Sequence, residues 1–146
     1  MFRPPIQSRY PSLSKLGVMT TPFGGQTKWE GFHPGVDIAN QKGTPIKTPV
    51  SGVVTKAVQG QRPGDNGFGN SVTVKSANGD QHQLGHLDAV AAKPGQYVQA
   101  GKPIGTMGNS GSAYSPSGKG DGTHLDYRIV SAYGRYKNPM TYLQNL

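Results

Sequence analysis

Glycine and proline recur so often along this chain that no long helix fits between them. The sequence holds 22 glycines and 12 prolines in 146 residues. Proline cannot continue a helix, and a glycine in a helix interior is about 1 kcal/mol less favourable than alanine. The glycines follow no three-residue period, which excludes a collagen triple helix. The chain is therefore predicted to fold as many short strands joined by tight turns.

The apolar runs between these breaks have the length and alternation of β-strands. Residues 71–75 (SVTVK) alternate with period two, and Asn78-Gly79 follows them as a strong hairpin signal, so that residues 81–87 are predicted as the return strand. Residues 48–58 form a second strong candidate, in which Gly52 indicates a bend or bulge. Further strands are expected at residues 17–21, 36–39, 97–98, 103–107 and 123–130.

Little helix is predicted. The best helical candidate is the short segment Leu87–Ala92, and no long amphipathic pattern is present. The expected fold class is mainly β, with an antiparallel sheet as its core. Residues 1–16 contain three prolines among polar residues and are predicted to form an extended N-terminal arm, which leaves residues 17–146 as one domain. Residues 108–122 are predicted to form a long Gly/Ser-rich loop, and loops of this length in small domains are usually functional or mobile.

Composition and charge exclude several classes of protein. The chain has no cysteine, so a metal can be held only by His, Asp or Glu, and a cysteine nucleophile is excluded. The formal net charge of +8 favours polyanionic partners, but the basic residues form no run, which argues against a nucleic-acid-binding module. No segment approaches the roughly 18 apolar residues of a membrane span. The N-terminus also lacks the apolar stretch of a signal peptide.

His33 and Asp37 form the first candidate site. Pro34-Gly35 between them rules out a regular helix, but residues four apart also share a face in an extended segment. An imidazole and a carboxylate are both good zinc ligands when deprotonated. The spacing alone leaves two interpretations open: a metal-binding pair, or a loop histidine hydrogen-bonded to the aspartate.

The other three histidines lie in predicted strands. In residues 123–130, period two sends His124 and Asp126 to one face, which either lines a cleft or is an ordinary solvent face. His82 and His86 share a face if their strand is regular, and a lone strand histidine more often has a structural role. Together, the four histidines and their aspartates make an enzyme plausible, because catalytic zinc needs three protein ligands, an open position and nearby acid–base groups.

A series of motifs gives the chain a specific resemblance. The order of these motifs along residues 17–143, and their spacing, is similar to that of the lysostaphin/LytM-type zinc metallopeptidases. The motifs are FG (residues 23–24), HPGVDIA (33–39), GTPIKTPVSGVV (43–54), FGNSVTVK (68–75), GHLD (85–88), KPGQYVQAGKPIGTMGNSG (93–111), THLDYRI (123–129) and NPMTYL (138–143).

The resemblance implies a fold, a cofactor and an activity. The fold is an antiparallel β core with an open groove walled by loops, and the activity is endopeptidase cleavage of peptidoglycan cross-bridges or stem peptides. One Zn²⁺ per chain is implied, with His33 and Asp37 at the positions of the first two ligands. His86 and His124 match the two catalytic histidines. The third ligand in the family is a histidine, and Asp126 occupies that position here.

Asp126 is the main departure from the family pattern. Its oxygen can bind zinc at about the distance of a histidine nitrogen, but a second carboxylate formally neutralises Zn²⁺ and makes it a weaker Lewis acid. Oxygen ligands also favour competing ions such as Mn²⁺. The expectation is therefore a zinc site with lower affinity. Two smaller departures are Leu84, where the family often has tyrosine, and a longer loop at residues 112–122.

Two alternatives to a peptidase remain open. One is a domain of the same fold that binds cell wall or a partner hydrolase without cutting. The other is a carrier domain, since residues 48–54 and 101–111 also resemble the swivelling β domains of phosphotransferase and lipoyl carriers. The missing signal peptide favours a phage lysin or tail protein over a host autolysin. We expect a monomer that is extracellular or virion-associated and acts on bacterial peptidoglycan, with no nucleic-acid partner.

Overall fold

Ten short strands and one 3-10 helix make up the part of the chain described by a computed structural model, residues 15–25, 31–113 and 120–146. The 3-10 helix spans Pro139–Asn145, and the Asn138 side chain accepts a hydrogen bond from the Met140 amide at its start. The strands are β1 Val18–Thr21, β2 Gly35–Ala39, β3 Pro45–Lys47, β4 Gly52–Val58, β5 Asn70–Lys75, β6 Gln81–Val90, β7 Tyr97–Val98, β8 Pro103–Met107, β9 Leu125–Val130 and β10 Tyr136–Lys137.

The strands pair into a single antiparallel sheet. Its main order is β1-β2-β9-β6-β5-β4-β7, with β10 added to β9 and the β3–β8 pair joined through β6. The hairpin predicted around Asn78-Gly79 is present as the turn between β5 and β6. Two distant parts of the sequence, β2 and β9, lie side by side, with Asp37 directly opposite Asp126. The mainly β, antiparallel fold class is therefore confirmed.

The two faces of the sheet have different chemistry because strand residues alternate. On β9, Leu125, Tyr127 and Ile129 are fully buried in the apolar core, so Asp126 and Arg128 lie on the opposite face. The same alternation on β2 places Val36 and Ile38 in the core. The sheet therefore has one apolar face for packing and one polar face that is available for chemistry. The other fully buried apolar side chains include Ile46, Val54, Val72, Val74, Leu84, Leu87, Ile104 and Met107.

A bulge in β6 changes the direction of His86. Leu84 pairs with Val72 and Leu87 pairs with Asn70, so three steps on β6 match two steps on β5. The extra residue is accommodated at His86, whose φ of 60° is the only positive value among the described non-glycine residues. His82 therefore faces the core while His86 faces the polar side. His82 and His86 were expected to share a face only if their strand were regular, and β6 is not regular.

Several sequence-based element predictions need correction. The helix expected at Leu87–Ala92 is wrong, because Leu87 and Val90 belong to β6 and pair with β8. The short strands β3 and β10 and the 3-10 helix were missed. The predicted arm falls mostly outside the described residues, which begin at Lys15, and so does the centre of the long loop, residues 114–119. No described helix is long and apolar enough to cross a membrane.

Candidate metal and catalytic site

A groove of about 480 Å³ lies on the polar face of the sheet. Side chains of β2, β4, β5, β6 and β9 form its floor, and the loops before β5 and after β8 contribute to its walls. The expected open groove with loop walls is therefore present. Its lining residues are His33, Asp37, Lys56, Gly67, Phe68, Ser71, Thr73, Gln83, His86, Ser112, His124, Asp126 and Arg128.

The three residues expected to bind metal converge at one end of this groove. Nε2 of His33 lies 3.2 Å from Oδ1 of Asp37 and 3.7 Å from Oδ2 of Asp126. The two aspartates are cross-strand partners on β2 and β9, and His33 comes from the turn just before β2. All three side chains belong to residues that are at most 9% exposed.

The three groove histidines have the same ring orientation. Nδ1 of His33 donates to the Gly35 carbonyl, Nδ1 of His86 to Ser110 and Nδ1 of His124 to Gly122, each at 2.7 Å. A carbonyl oxygen only accepts, so each Nδ1 carries the hydrogen and each neutral ring keeps its lone pair on Nε2. Three Nε2 atoms are thereby available to a metal ion or to a proton.

His86 and His124 lie beside the convergence point. Their ring centroids are 4.8 Å apart, and Nε2 of His124 is 3.6 Å from Oδ1 of Asp37. Asp126 also lies within 4.8 Å of a nitrogen on each of these rings. Two imidazole rings therefore flank the same small volume that His33 and the two aspartates enclose, and the structure brings these five residues together.

Arg128 is a component of the site that the sequence analysis missed. It lies two residues after Asp126 on the same face of β9, and its guanidinium forms two hydrogen bonds to the Asp126 carboxylate, of 3.0 Å from Nε and 2.8 Å from Nη2. The Phe68 ring lies 5.2 Å from the guanidinium carbon. The same alternation that places His124 and Asp126 on one face of the strand also places Arg128 there. That alternation was the sequence signal from which Arg128 could have been found.

The electrostatics of the cluster favour a cation between the two carboxylates. Burial lowers the pKa of His33, but the carboxylates of Asp126 and Asp37 outweigh burial and raise that pKa to about 10. Burial also works against ionisation of Asp126, yet contacts with His33 and Arg128 hold the pKa of its carboxyl far below the usual range. Burial and the neighbouring His124 lower the pKa of His86, which disfavours the protonated ring.

The donor set fits a tetrahedral zinc ion. Zinc bonds of 2.0–2.2 Å in tetrahedral geometry place neighbouring ligand atoms about 3.4 Å apart. The observed separations of 3.2 and 3.7 Å bracket this value. Within the described residues, Oδ1 of Asp37 is also buried without a hydrogen bond of good geometry, which is unusual for a carboxylate oxygen. A metal ion at this point would satisfy that atom.

His82, the fourth histidine, is a core residue. It is fully buried, its Nδ1 lies 2.7 Å from the Tyr127 hydroxyl, and the Tyr142 ring packs edge-on against it. Burial lowers its pKa to about 4, while Asp80 and Lys137 act in opposite directions. A structural role, the more common one for a lone strand histidine, therefore applies to His82, whereas His86 lines the groove.

Proteins of known activity are similar to most of this chain. The DD-carboxypeptidase/endopeptidase Mpg of Neisseria meningitidis serogroup B is 30% identical over 84% of this chain and 26% of that protein. The L-Ala–D-Glu endopeptidase of Bacillus subtilis is 33% identical, covering 90% of this chain and 38% of that protein. The murein hydrolase activator NlpD of Escherichia coli is 32% identical, covering 78% of this chain and 27% of that protein. The chain thus spans less than half the length of each.

Solved structures show the same fold. The catalytic domain of the prophage-encoded M23 protein EnpA from Enterococcus faecalis, in mutant form, superposes with a TM-score of 0.69 at 30% identity, covering 88% of this chain and 93% of that one. The catalytic domain of the antimicrobial peptidase lysostaphin from Staphylococcus simulans gives 0.65 at 28% identity, covering 88% and 90%. The model of peptidase family M23 matches residues 31–139, which span the site from His33 to Arg128, and the chain therefore belongs to peptidase family M23.

Proposed function

We propose that this chain is a zinc-dependent endopeptidase that hydrolyses peptide bonds in bacterial peptidoglycan. The observation that carries the proposal is the convergence of His33, Asp37 and Asp126 at one end of a groove, with Nε2 of two more histidines beside them. The names of the Mpg and L-Ala–D-Glu endopeptidase relatives support the substrate class. Membership of a peptidase family argues against the carrier alternative.

The proposed roles follow from which atoms face the groove. His33, Asp37 and Asp126 hold the metal, and a zinc ion bound there supplies an activated water and polarises the scissile carbonyl. The neutral Nε2 of either His86 or His124 accepts the proton of the attacking water. The other histidine can donate to the developing oxyanion or to the leaving amine only when its Nε2 also carries a proton, so the proposed mechanism uses one of the two rings in the protonated form. Because Nδ1 of each ring is held by a carbonyl, the rings do not need to reorient during the reaction.

The groove provides a path for an extended peptide. Arg128, Gln83, Thr73 and Lys56 occupy paired positions on β9, β6, β5 and β4, so their side chains form a polar row across the floor. Adjacent strands are about 4.8 Å apart, which gives the row a length of roughly 14 Å, or about four extended residues. One chain supplies this row and the site, which is consistent with a monomer acting at the cell wall, either extracellularly or from a virion.

A second candidate is a cell-wall or hydrolase-binding domain that does not cut. The observations that favour it are the similarity to the activator NlpD and the presence of Asp126 at the position of the family's third histidine. This alternative needs the groove but not the two catalytic histidines. It predicts that substitution of His86 or His124 leaves the biological activity of the domain unchanged.

The two candidates are separated by metal analysis combined with digestion of defined muropeptides. If the chain is a peptidase, we expect about one zinc per chain and peptide fragments whose masses identify the bond that is cut. His86→Ala and His124→Ala should retain zinc but lose cleavage, whereas Asp126→Ala should lose zinc. Tyr133→Ala, at a residue that is 93% exposed, is the matched control and should behave as the parent protein. A protein that binds zinc but leaves every muropeptide intact would refute the peptidase.

A further inference from the structure

The Asp126 carboxylate is held by Arg128 on both of its oxygens. Oδ1 accepts from Nε and Oδ2 accepts from Nη2, which is the side-on form of a bidentate arginine–carboxylate pair. Two bonds to a planar guanidinium fix the plane of the carboxylate as well as its position. Oδ2 is also the oxygen that lies 3.7 Å from Nε2 of His33. One oxygen therefore faces both the arginine and the candidate metal position.

The surroundings of Arg128 are shaped to hold this side chain. Gly35 is its cross-strand partner on β2, and a β-carbon there would lie 2.7 Å from Cγ of Arg128. On the other side, the Phe68 ring lies above Gly85, where a β-carbon would come within 2.5 Å of the ring. The ring covers the guanidinium at 5.2 Å. Two glycines and an aromatic ring thus form a slot that only partly exposes the arginine, at 22%.

The arginine also changes the charge of the site. Two carboxylates would formally neutralise Zn²⁺, which was the basis for expecting a weaker site from the sequence. Arg128 contributes a full positive charge at 2.8 Å from one of these carboxylates. With His33 neutral, as a metal-binding histidine must be, two aspartates and one arginine give a combined formal charge of −1, so a bound Zn²⁺ would retain a net positive charge. The expected loss of Lewis acidity is offset within the protein.

We propose that Arg128 is a positioning residue that orients Asp126 to act as the third metal ligand. The inference rests on the proposed function, because it assumes that the groove binds a divalent metal. Arg128 acts on the metal through Asp126 and does not itself touch the metal. Its effect comes from the geometry of the two hydrogen bonds, so a lysine, which carries the same charge on a single nitrogen, cannot replace it.

The test measures zinc affinity by competition with a chromophoric chelator for the parent protein, Arg128→Lys and Arg128→Met. Residues that orient metal ligands typically contribute 10–100-fold to metal affinity. Both variants should therefore bind zinc at least about 10-fold more weakly than the parent. Arg135→Met, at an exposed arginine in the turn before β10, should leave affinity unchanged. Circular dichroism of the metal-free proteins checks that each variant is folded.

The outcomes show whether the role of Arg128 or the proposed ligand set has failed. If Arg128→Lys binds zinc as tightly as the parent while Arg128→Met does not, charge alone matters and the positioning role is wrong. If both variants keep parent affinity while Asp126→Ala loses zinc, only the role of Arg128 is overturned. If Asp126→Ala also keeps its zinc, the ligand set of the proposed function fails together with this inference. A variant that unfolds is replaced by Arg128→Gln, for which the same weakening is expected.

Discussion

Replacing His86 by glycine should give a more stable protein than replacing it by alanine, although both variants lose catalysis. His86 has a φ of 60°, a backbone conformation that L-residues rarely adopt and glycine adopts freely. Both substitutions remove the same hydrogen bond to Ser110 and the same packing against Phe68. The difference between the two variants therefore isolates the backbone conformation from the side-chain contacts.

The expected difference in unfolding free energy between the two variants follows from two opposing contributions. A left-handed conformation costs an L-residue about 1–2 kcal/mol, which His86→Gly would relieve. Glycine also loses more conformational entropy on folding, which costs about 0.4–1 kcal/mol relative to alanine. The glycine variant should therefore be more stable than the alanine variant by about 1 kcal/mol. In a domain of 146 residues this corresponds to a melting temperature about 3–5 °C higher.

Urea unfolding followed by circular dichroism measures this difference on metal-free protein, so that changes in metal affinity do not enter. The matched control is the same pair of substitutions at Gln83, three residues earlier in β6, where φ is not positive. Alanine should be the more stable variant at that position, by about 0.5–1 kcal/mol. If alanine is also more stable at position 86, the backbone is not left-handed there and the bulge that turns His86 into the groove is not present.

Three further predictions concern the pH dependence of stability, the bound metal and the hydrogen bonds of a buried asparagine. Burial lowers the pKa of His82 from 6.5 to about 4, so the unfolded chain takes up this proton at a higher pH than the folded chain does. The contribution of His82 to the free energy of unfolding is therefore fully present above pH 6.5 and falls by about 3 kcal/mol as the pH drops towards 4. His82→Gln should remove this part of the pH dependence in urea titrations at several pH values. Chelation with EDTA should abolish muropeptide cleavage and lower the melting temperature, and added zinc should restore both. Asn70→Ala should lower the free energy of unfolding by about 1–3 kcal/mol, because it leaves the backbone groups of Gln61 and Leu87 without their hydrogen bonds to the Asn70 side chain. A variant as stable as the parent in urea titrations would contradict this structural role.

The sequence was sufficient for the class of fold and for naming most of the residues that converge at one end of the groove. Frequent glycine and proline excluded long helices, and period two in residues 71–75 and 123–130 identified strands that the structure contains as β5 and β9. The same period placed Asp126 and His124 together, and the motif resemblance led to His33, Asp37 and His86. The family assignment made from these motifs is confirmed. Local patterns carry this information because strand periodicity and turn chemistry depend on nearby residues alone.

Only the tertiary structure decided which residues of the polar face act together. A bulge in β6 separates His82 from His86, and the strand continues to Val90 where a helix was expected, because pairing with β5 and β8 overrides local propensity. The pairing of β2 with β9 places Gly35 opposite Arg128 and so gives the arginine room to hold Asp126. These features depend on the register between strands that are about 90 residues apart in the chain, and register is set by the packing of the whole sheet.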